Sequence, residues 1–430
     1  MRTAVTNVRV FDGQSLTQPQ TVVIEGEFIG EDAQGAHVID GEGGVLLPGL
    51  IDAHIHLQTE DDLHAMAAYG ITTGLDMATW PSAKMNGLRA RKGLTDIRSA
   101  GLPATCAGSI HSRLLPLPQE ALLTGPQDAE RFVRERISEG SDFIKLIVDI
   151  PGPNQDTLDA LATAAHRHQK LVVAHASSFI PFAMAQDAKA DIITHAPCDK
   201  PLDEDAVKLM VSENRISVPT LTMMEGITKR LSWGVIGRLL LQPSLCLAIM
   251  RAKRKNPYGG GQTFEHARDS VTAMYRAGVP ILAGTDANSE KNSPFVIKHG
   301  DSLHYELELL VRAGLSNIDA LRAATELPAK HFGLTDRGVI EVGNERIWFL
   351  YLKTLFRTFE RHVRFCESGV AVKSSSYHNT CLQSNYLSLK SMSQDGGIAL
   401  LDLVVACHYF DRIEVPMAQM IHEYCIFRKP

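Results

Sequence analysis

The stretch Pro48-Gly49-Leu50-Ile51-Asp52-Ala53-His54-Ile55-His56 ends the first long apolar run of the chain. Its two histidines are two residues apart, and a β-strand places such residues on the same face. Two imidazoles on one face of a strand end can bind one metal ion. A His-x-His pair also occurs in many proteins without a metal, so this stretch needs support from the rest of the chain.

Short β-branched runs alternate with amphipathic segments from residue 45 onward. Segments such as 126–139 and 155–168 have the spacing of helices. The strands are predicted at 45–57, 71–77, 104–110, 143–149, 171–176, 192–196, 216–223 and 281–286. Strand and helix alternating eight times is typical of the α/β class called the (β/α)8 or TIM barrel, in which the carboxyl ends of the strands surround the active site.

The segments on either side of the predicted barrel differ from it in pattern. Residues 1–46 hold short runs that end at Asp12-Gly13, Glu25-Gly26 and Asp40-Gly41, which predicts a small antiparallel β unit. The barrel is predicted at 47–335. Residues 336–430 show no clear period and are predicted to form an atypical C-terminal extension. A long insertion before the eighth strand contains Gly259-Gly260-Gly261 and is expected to cover the barrel mouth.

Composition narrows the function classes. The 430 residues carry a net charge of −6 without a basic stripe, which argues against nucleic acid as the partner. No apolar run reaches the ~18 residues of a membrane-spanning helix, and the start lacks a secretory signal pattern. The seven cysteines are scattered without a CxxC pair, which disfavours a disulfide framework or a cysteine zinc site. We expect a cytoplasmic protein acting on a small molecule.

Polar residues stand at the ends of four more predicted strands. Lys145 lies inside the apolar run 143–148, where a lysine is costly unless it is paired or modified. It is either an edge or snorkelling lysine, or a lysine carbamylated by CO2 whose carboxylate bridges two metals. His175, His195 and Asp286 each close an apolar strand. Strand ends converge in a barrel, so these residues and the histidine pair are predicted to form one metal centre.

The 48–56 stretch resembles the signature of the amidohydrolase superfamily, and the order of the downstream polar residues matches its binuclear subtype. The segments 70–73, 283–286 and 320–325 support the resemblance, which covers residues 4–343. Within the superfamily, the chain resembles the imidazolonepropionase-like, prolidase-like and ochratoxinase-like amidohydrolases.

The resemblance implies two divalent metal ions, for which zinc fits the ligand types, with manganese, iron or cobalt as alternatives. The implied ligands are His54, His56 and Asp286 for the more buried ion, His175 and His195 for the more exposed ion, and carbamylated Lys145 as the bridge between them. A metal-bridging hydroxide then attacks the substrate carbonyl, and Asp286 serves as general base and acid. His111, just past strand three, either lies where it can polarise that carbonyl or is a histidine of a surface loop.

The expected reaction is hydrolysis of an amide or cyclic amide C–N bond other than a peptide bond. A dipeptidase or prolidase-like activity and a lactone hydrolase would use the same site. Deamination is disfavoured, because Ser178 stands where deaminases of this superfamily carry a glutamate. A non-catalytic scaffold with a defective C-terminus is the alternative from a different class.

The resemblance stops after Gly343. Members of the superfamily continue there with a run like Gly-Lys-Arg-Ala-Asp-Leu, which supplies strands that return to the N-terminal β unit. This chain instead reads Gly343-Asn344-Glu345-Arg346. The β unit is therefore expected to be an incomplete composite β-sandwich. The resemblance also implies a homo-oligomer.

Overall fold

The computed structural model describes residues 2–26, 28–228, 261–289, 296–343 and, for the backbone alone, 348–351. The strands in this part are β1 Arg2–Val10, β2 Gln20–Glu25, β3 Phe28–Gly30, β4 His37–Asp40, β5 Val45–Pro48, β6 Leu50–His56, β7 Ile71–Asp76, β8 Asp96–Ser99, β9 Thr105–Cys106, β10 Leu122–Leu123, β11 Ile144–Ile147, β12 Val172–His175, β13 Ile192–Thr194, β14 Ile216–Val218, β15 Ala287–Asn288 and β16 Trp348–Tyr351. The helices are α1 Glu60–Ala68, α2 Ser82–Leu88, α3 Ile110–Leu114, α4 Ala129–Ser138, α5 Gln155–Arg167, α6 Phe179–Asp187, α7 Glu204–Ser212, α8 Leu221–Thr228, α9 Phe264–Arg276, α10 Asp301–Arg312, α11 Asn317–Ala323 and α12 Glu326–His331.

Two four-stranded parallel sheets form the centre of the fold. Their strand orders are β15-β6-β7-β8 and β11-β12-β13-β14. Parallel bridges continue the pairing beyond them, from Ala104 to Leu146 of β11 and from Ser217 of β14 to Ile281. The backbone N–H of Ala53 in β6 also donates to the carbonyl of Ala283 at 2.8 Å. The carboxyl ends of both sheets therefore point to the same side of the molecule.

The predicted strand at 104–110 is wrong in most of its length. On the side away from β6, β7 pairs with β8, at 96–99, and not with a strand at 104–110. Strand β9, which lies within the predicted run, pairs with the short strand β10. Gly101, which has a positive φ of 66°, lies between β8 and β9. Ser109 accepts a hydrogen bond from the Ser112 N–H and so begins helix α3 where the strand was expected to continue.

Three other predicted strands differ in extent. The run 45–57 divides at Gly49 into β5 and β6, which belong to different sheets. The run 216–223 stops at Val218, because Thr220 takes a positive φ of 48° and α8 begins after it. The run 281–286 is held by single hydrogen bonds rather than by a regular ladder, and strand pairing resumes only in β15.

The small β unit packs around its own apolar cluster, which includes Val5, Val22, Ile24 and Leu46. Strand β16 pairs antiparallel with β5, so the unit receives one strand from beyond Gly343. The expectation that the N-terminal β unit lacks its returning partners is therefore wrong for β5. Residues 352–430, where most of the predicted extension falls, lie outside the described part of the chain.

The insertion before the eighth strand is described only at its ends, in α8 and in α9. Residues 229–260, including Gly259 and Gly260, lie outside the described part, so the covering role of the insertion stays a prediction. Among the described residues, no helix has the length and apolar character needed to cross a membrane.

At Gly284 the eighth strand segment, 281–286, passes close to β6. A Cβ atom there would lie 2.9 Å from the backbone N of His54 and 2.5 Å from Cγ1 of Val218. We expect Gly284→Ala to lower the free energy of unfolding by about 1–3 kcal/mol, because backbone must move to make room. Urea denaturation measures the change.

The matched control is Gly87→Ala. Gly87 lies in helix α2 and a Cβ there would contact nothing within 4 Å. Alanine favours a helix over glycine by up to about 1 kcal/mol, so this variant should be as stable as the parent or more stable. Equal stabilities for the two variants would contradict the close packing at Gly284.

Candidate metal centre

His54, His56 and Asp286 meet at the carboxyl end of β6. The Nε2 atoms of His54 and His56 lie 3.4 and 3.0 Å from the same carboxylate oxygen of Asp286. One ligand atom from each of the three residues lies within 4.8 Å of the others, an arrangement that can hold a metal ion. The expectation that residues i and i+2 of this strand share a face is confirmed.

Asp286 has an unusual backbone that aims its side chain into this group. Its φ is 58°, and its N–H donates to the carbonyl of His54 at 2.8 Å. A non-glycine residue in this region is strained, and the surrounding structure must hold it there.

A buried carboxylate next to the site joins β6 to the eighth strand segment. Asp52 accepts the Oγ1–H of Thr285 at 2.7 Å and the backbone N–H groups of Thr285 and His54 at 3.1 and 3.2 Å. Burial raises the pKa of Asp52 to about 7, although these hydrogen bonds work in the opposite direction. Asp52 thus fixes the backbone on both sides of the pair formed by His54 and Asp286.

His175, the last residue of β12, and His195, directly after β13, lie side by side in the site. His195 Nε2 lies 2.8 Å from His175 Nδ1, and a 2.5 Å hydrogen bond joins His195 Nδ1 to Thr220 Oγ1. Burial lowers the pKa of His54, His175 and His195 well below the usual value, so each imidazole is neutral near pH 7. Neutral imidazole is the form that binds metals.

Lys145 is buried in β11, with 4% of its surface exposed. Its Nζ donates to Thr194 Oγ1 at 3.1 Å. Burial lowers the pKa of Lys145 to about 7, against the opposing effect of Asp286. A substantial fraction of the side chain is therefore a neutral, nucleophilic amine near pH 7.

His111 stands beside His175, with 4.4 Å between the ring centroids. Its Nδ1 and its backbone N both contact Oδ2 of Asp149, at 2.8 and 3.1 Å. Burial opposes protonation of His111, but the Asp149 carboxylate outweighs it and raises the pKa of His111. Burial likewise opposes ionisation of Asp149, but the charge and hydrogen bonds of His111 lower its pKa.

The structure brings the sequence-predicted residues to one region. His54 connects the two halves, because its ring lies 5.3 Å from that of His56 and 4.9 Å from that of His195. His54 Nδ1 is buried and has no hydrogen-bond partner among the described residues. Neutral buried imidazoles around a carboxylate are a donor set that fits a divalent cation.

Sequence reasoning missed three polar residues that support the site: Asp149, Thr220 and Glu306. Asp149 ends the predicted strand 143–149, the same feature that singled out Asp286, so a signal for it existed. Thr220 lies inside a run that was predicted as strand. Glu306 lies on the apolar helix α10, and nothing local in the sequence marks it.

Glu306 holds the turn that carries Thr220. Its buried carboxylate accepts the backbone N–H groups of Leu221 and Thr222 at 2.8 and 2.6 Å, and the hydroxyl of Thr222 at 2.7 Å. These N–H groups belong to the first turn of α8, which has no intrahelical acceptors for them. Glu306 therefore caps α8 from another helix, and the turn before α8 presents Thr220 to His195.

Comparison with known proteins gives consistent matches. The model of the Amidohydrolase family matches residues 45–346. An uncharacterized protein of Mycobacterium tuberculosis is 27% identical over 335 residues, which cover 72% of this chain and 80% of the relative. A dihydroorotase of Streptomyces coelicolor is 36% identical over 102 residues, covering 20% of this chain and 23% of the relative.

Solved structures are similar over most of the chain. A Xaa-Pro dipeptidase with bound methionine superposes with a TM-score of 0.66 at 21% identity, covering 82% of this chain and 94% of the other. The ochratoxinase of A. niger superposes with a TM-score of 0.63 at 17% identity, covering 84% and 91%. At such identities the structures show the fold, an α/β fold of the TIM-barrel type.

The buried carboxyl of Glu306 makes stability depend on pH. Burial raises its pKa to about 7 in the folded protein, whereas an unfolded chain releases this proton near pH ~4.3. Between these two pH values the unfolded state binds fewer protons than the folded state. The contribution of Glu306 to the free energy of unfolding therefore falls by about 1.4 kcal/mol per pH unit as pH rises. We expect Glu306→Gln, which has no proton to lose, to gain stability relative to the parent between pH 5 and 7.

Denaturant unfolding at a series of pH values measures this difference. Glu120, which is exposed, provides the control substitution Glu120→Gln. A difference between the parent and Glu306→Gln that does not change with pH would contradict the burial argument.

Proposed function

Because this chain belongs to the amidohydrolase family, and is therefore a hydrolase acting on carbon–nitrogen bonds, we propose that it cleaves the amide or cyclic amide bond of a small molecule. Two divalent metal ions, with zinc as the expected metal, serve the reaction. The observation that carries the proposal is the convergence of His54 and His56 on Asp286 at a strand end. We further propose that β6, β7, β8, β11, β12, β13, β14 and the segment 281–286 close into a (β/α)8 barrel around this centre.

The ligands divide into two sets. His54, His56 and Asp286 hold the more buried ion, and this set is supported by its close approach and burial. His175 and His195 hold the more exposed ion. Since metal binding through His195 Nε2 leaves the proton on Nδ1, His195 donates a hydrogen bond to Thr220 Oγ1, which fixes the tautomer and the ring orientation.

Lys145 supplies the bridge after reaction with CO2. Its neutral amine would attack the carbon of CO2, so that a C–N bond forms, one C=O π bond breaks, and one proton of the nitrogen leaves to solvent. The resulting carbamate is an anionic oxygen ligand. The pKa of about 7 favours this reaction, because an ammonium group has no lone pair to attack with.

When bound, the two ions supply a nucleophilic hydroxide near neutral pH and an electrophilic contact for the carbonyl oxygen. Asp286 stands at the junction of the ligand sets, with its second oxygen 3.9 Å from His195 Nδ1. It accepts the proton of the attacking water and returns it to the leaving nitrogen. His111, which Asp149 orients, donates a hydrogen bond to the carbonyl oxygen as negative charge develops there.

The substrate is tested with a panel of N-acyl amino acids, Xaa-Pro dipeptides, lactams and lactones. We expect hydrolysis of an amide or lactam that is lost on chelation and restored by zinc. Asp286→Asn should lower kcat/KM by about 10²–10⁴-fold, because it removes both a ligand and the proton carrier. Asp269→Asn, at an exposed surface position, is the matched control and should retain the rate of the parent.

Other outcomes separate the alternatives. Preferred cleavage of Xaa-Pro dipeptides would assign a dipeptidase, and preferred cleavage of lactones a lactone hydrolase. A zinc-loaded protein that hydrolyses no member of the panel, with Asp286→Asn indistinguishable from the parent, would contradict the proposal and favour a non-catalytic scaffold.

A further inference from the structure

A second group of potential metal ligands lies next to the proposed pair. One ligand atom each from His111, Asp149 and His175 lies within 4.8 Å of the others. His111 and Asp149 are outside the ligand set of the proposed function, whereas His175 belongs to both. Two imidazoles and one carboxylate are a ligand set that zinc accepts.

Asp149 is held so that one of its oxygens is available to a cation. Both hydrogen bonds from His111 end on Oδ2, and Oδ1 has no hydrogen-bond partner in the described part of the chain. The carboxylate is 6% exposed. The chain turns tightly after Asp149 and needs a glycine at position 152, because a Cβ atom there would lie 2.3 Å from the Asp149 carbonyl oxygen. The position of Asp149 is thus built into the end of β11.

His175 can serve only one of the two sets at a time. A neutral imidazole has a single lone pair for a metal, since its other nitrogen carries the proton. His175 Nδ1 lies 2.8 Å from His195 Nε2, while its ring also packs against His111. An ion bound with His111 and Asp149 therefore takes His175 away from the ion bound with His195.

The presence of a carbamate oxygen on Lys145 decides between the two sets. Without CO2, the exposed position has only the imidazoles of His175 and His195, and the unmodified Lys145 amine, which bonds to Thr194, supplies no anionic oxygen. The other set brings its own carboxylate and needs no modification of the chain. A divalent ion is held more strongly where an anionic oxygen shares its coordination.

We propose that His111, Asp149 and His175 form an alternative site for the second metal ion, which is occupied when Lys145 is not carbamylated. This inference rests on the proposed binuclear function. The ion moves between the two sites as CO2 adds to or leaves Lys145. In the alternative site it occupies His111, so the same change withdraws His111 from the substrate carbonyl.

The test is equilibrium dialysis of the full-length protein against Zn²⁺, followed by metal analysis, in CO2-free buffer and in bicarbonate buffer. We expect the parent to hold two ions in both buffers. Asp149→Asn should hold two in bicarbonate and one in CO2-free buffer, with the dissociation constant of the second ion raised by about 10–100-fold. Asp187→Asn, at an exposed position on α6, is the matched control and should behave as the parent.

The parent protein tests the inference without any variant. A parent that holds two ions in bicarbonate and only one in CO2-free buffer would overturn the alternative site and leave the proposed function standing. Retention of both ions by Asp149→Asn in CO2-free buffer would overturn it as well. A parent that binds no zinc in either buffer would overturn the proposed function together with the inference.

Discussion

The contact between β6 and the segment that ends at Asp286 determines the geometry of the whole centre. Asp52 accepts hydrogen bonds from both sides of this contact, and Gly284 lets the two backbones approach. Asp286 then turns through a left-handed conformation that its hydrogen bond to His54 stabilises. Lys145, His175 and His195 lie near one another because β11, β12 and β13 are adjacent parallel strands.

Burial sets the electrostatics of the centre. It holds three histidines neutral, brings the pKa of Lys145 to about 7 and leaves His54 Nδ1 without a partner among the described residues. Neutral imidazoles and an amine grouped around the Asp286 carboxylate are a donor set suited to a divalent cation. Burial also raises the pKa of the Glu306 and Asp52 carboxyls to about 7. The charges of these supporting residues therefore change in the same pH range as that of Lys145.

The parts of the site that follow from one strand could be predicted from the sequence. The two-residue period placed His54 and His56 together, and the apolar run around Lys145 marked it as an unusual lysine. Parts that depend on turns were not predictable in this way. The strand expected at 104–110 ends early because Ser109 caps helix α3. Glu306 acts across the fold, through contacts that no sequence period records.

Anomalous diffraction at the zinc edge, from crystals of the zinc-loaded protein, tests most directly whether these residues hold a metal. The account predicts a peak about 2.0–2.2 Å from nitrogen atoms of His54 and His56 and from a carboxylate oxygen of Asp286. A well-ordered structure in which these three side chains keep their positions, but no peak lies among them, would contradict it.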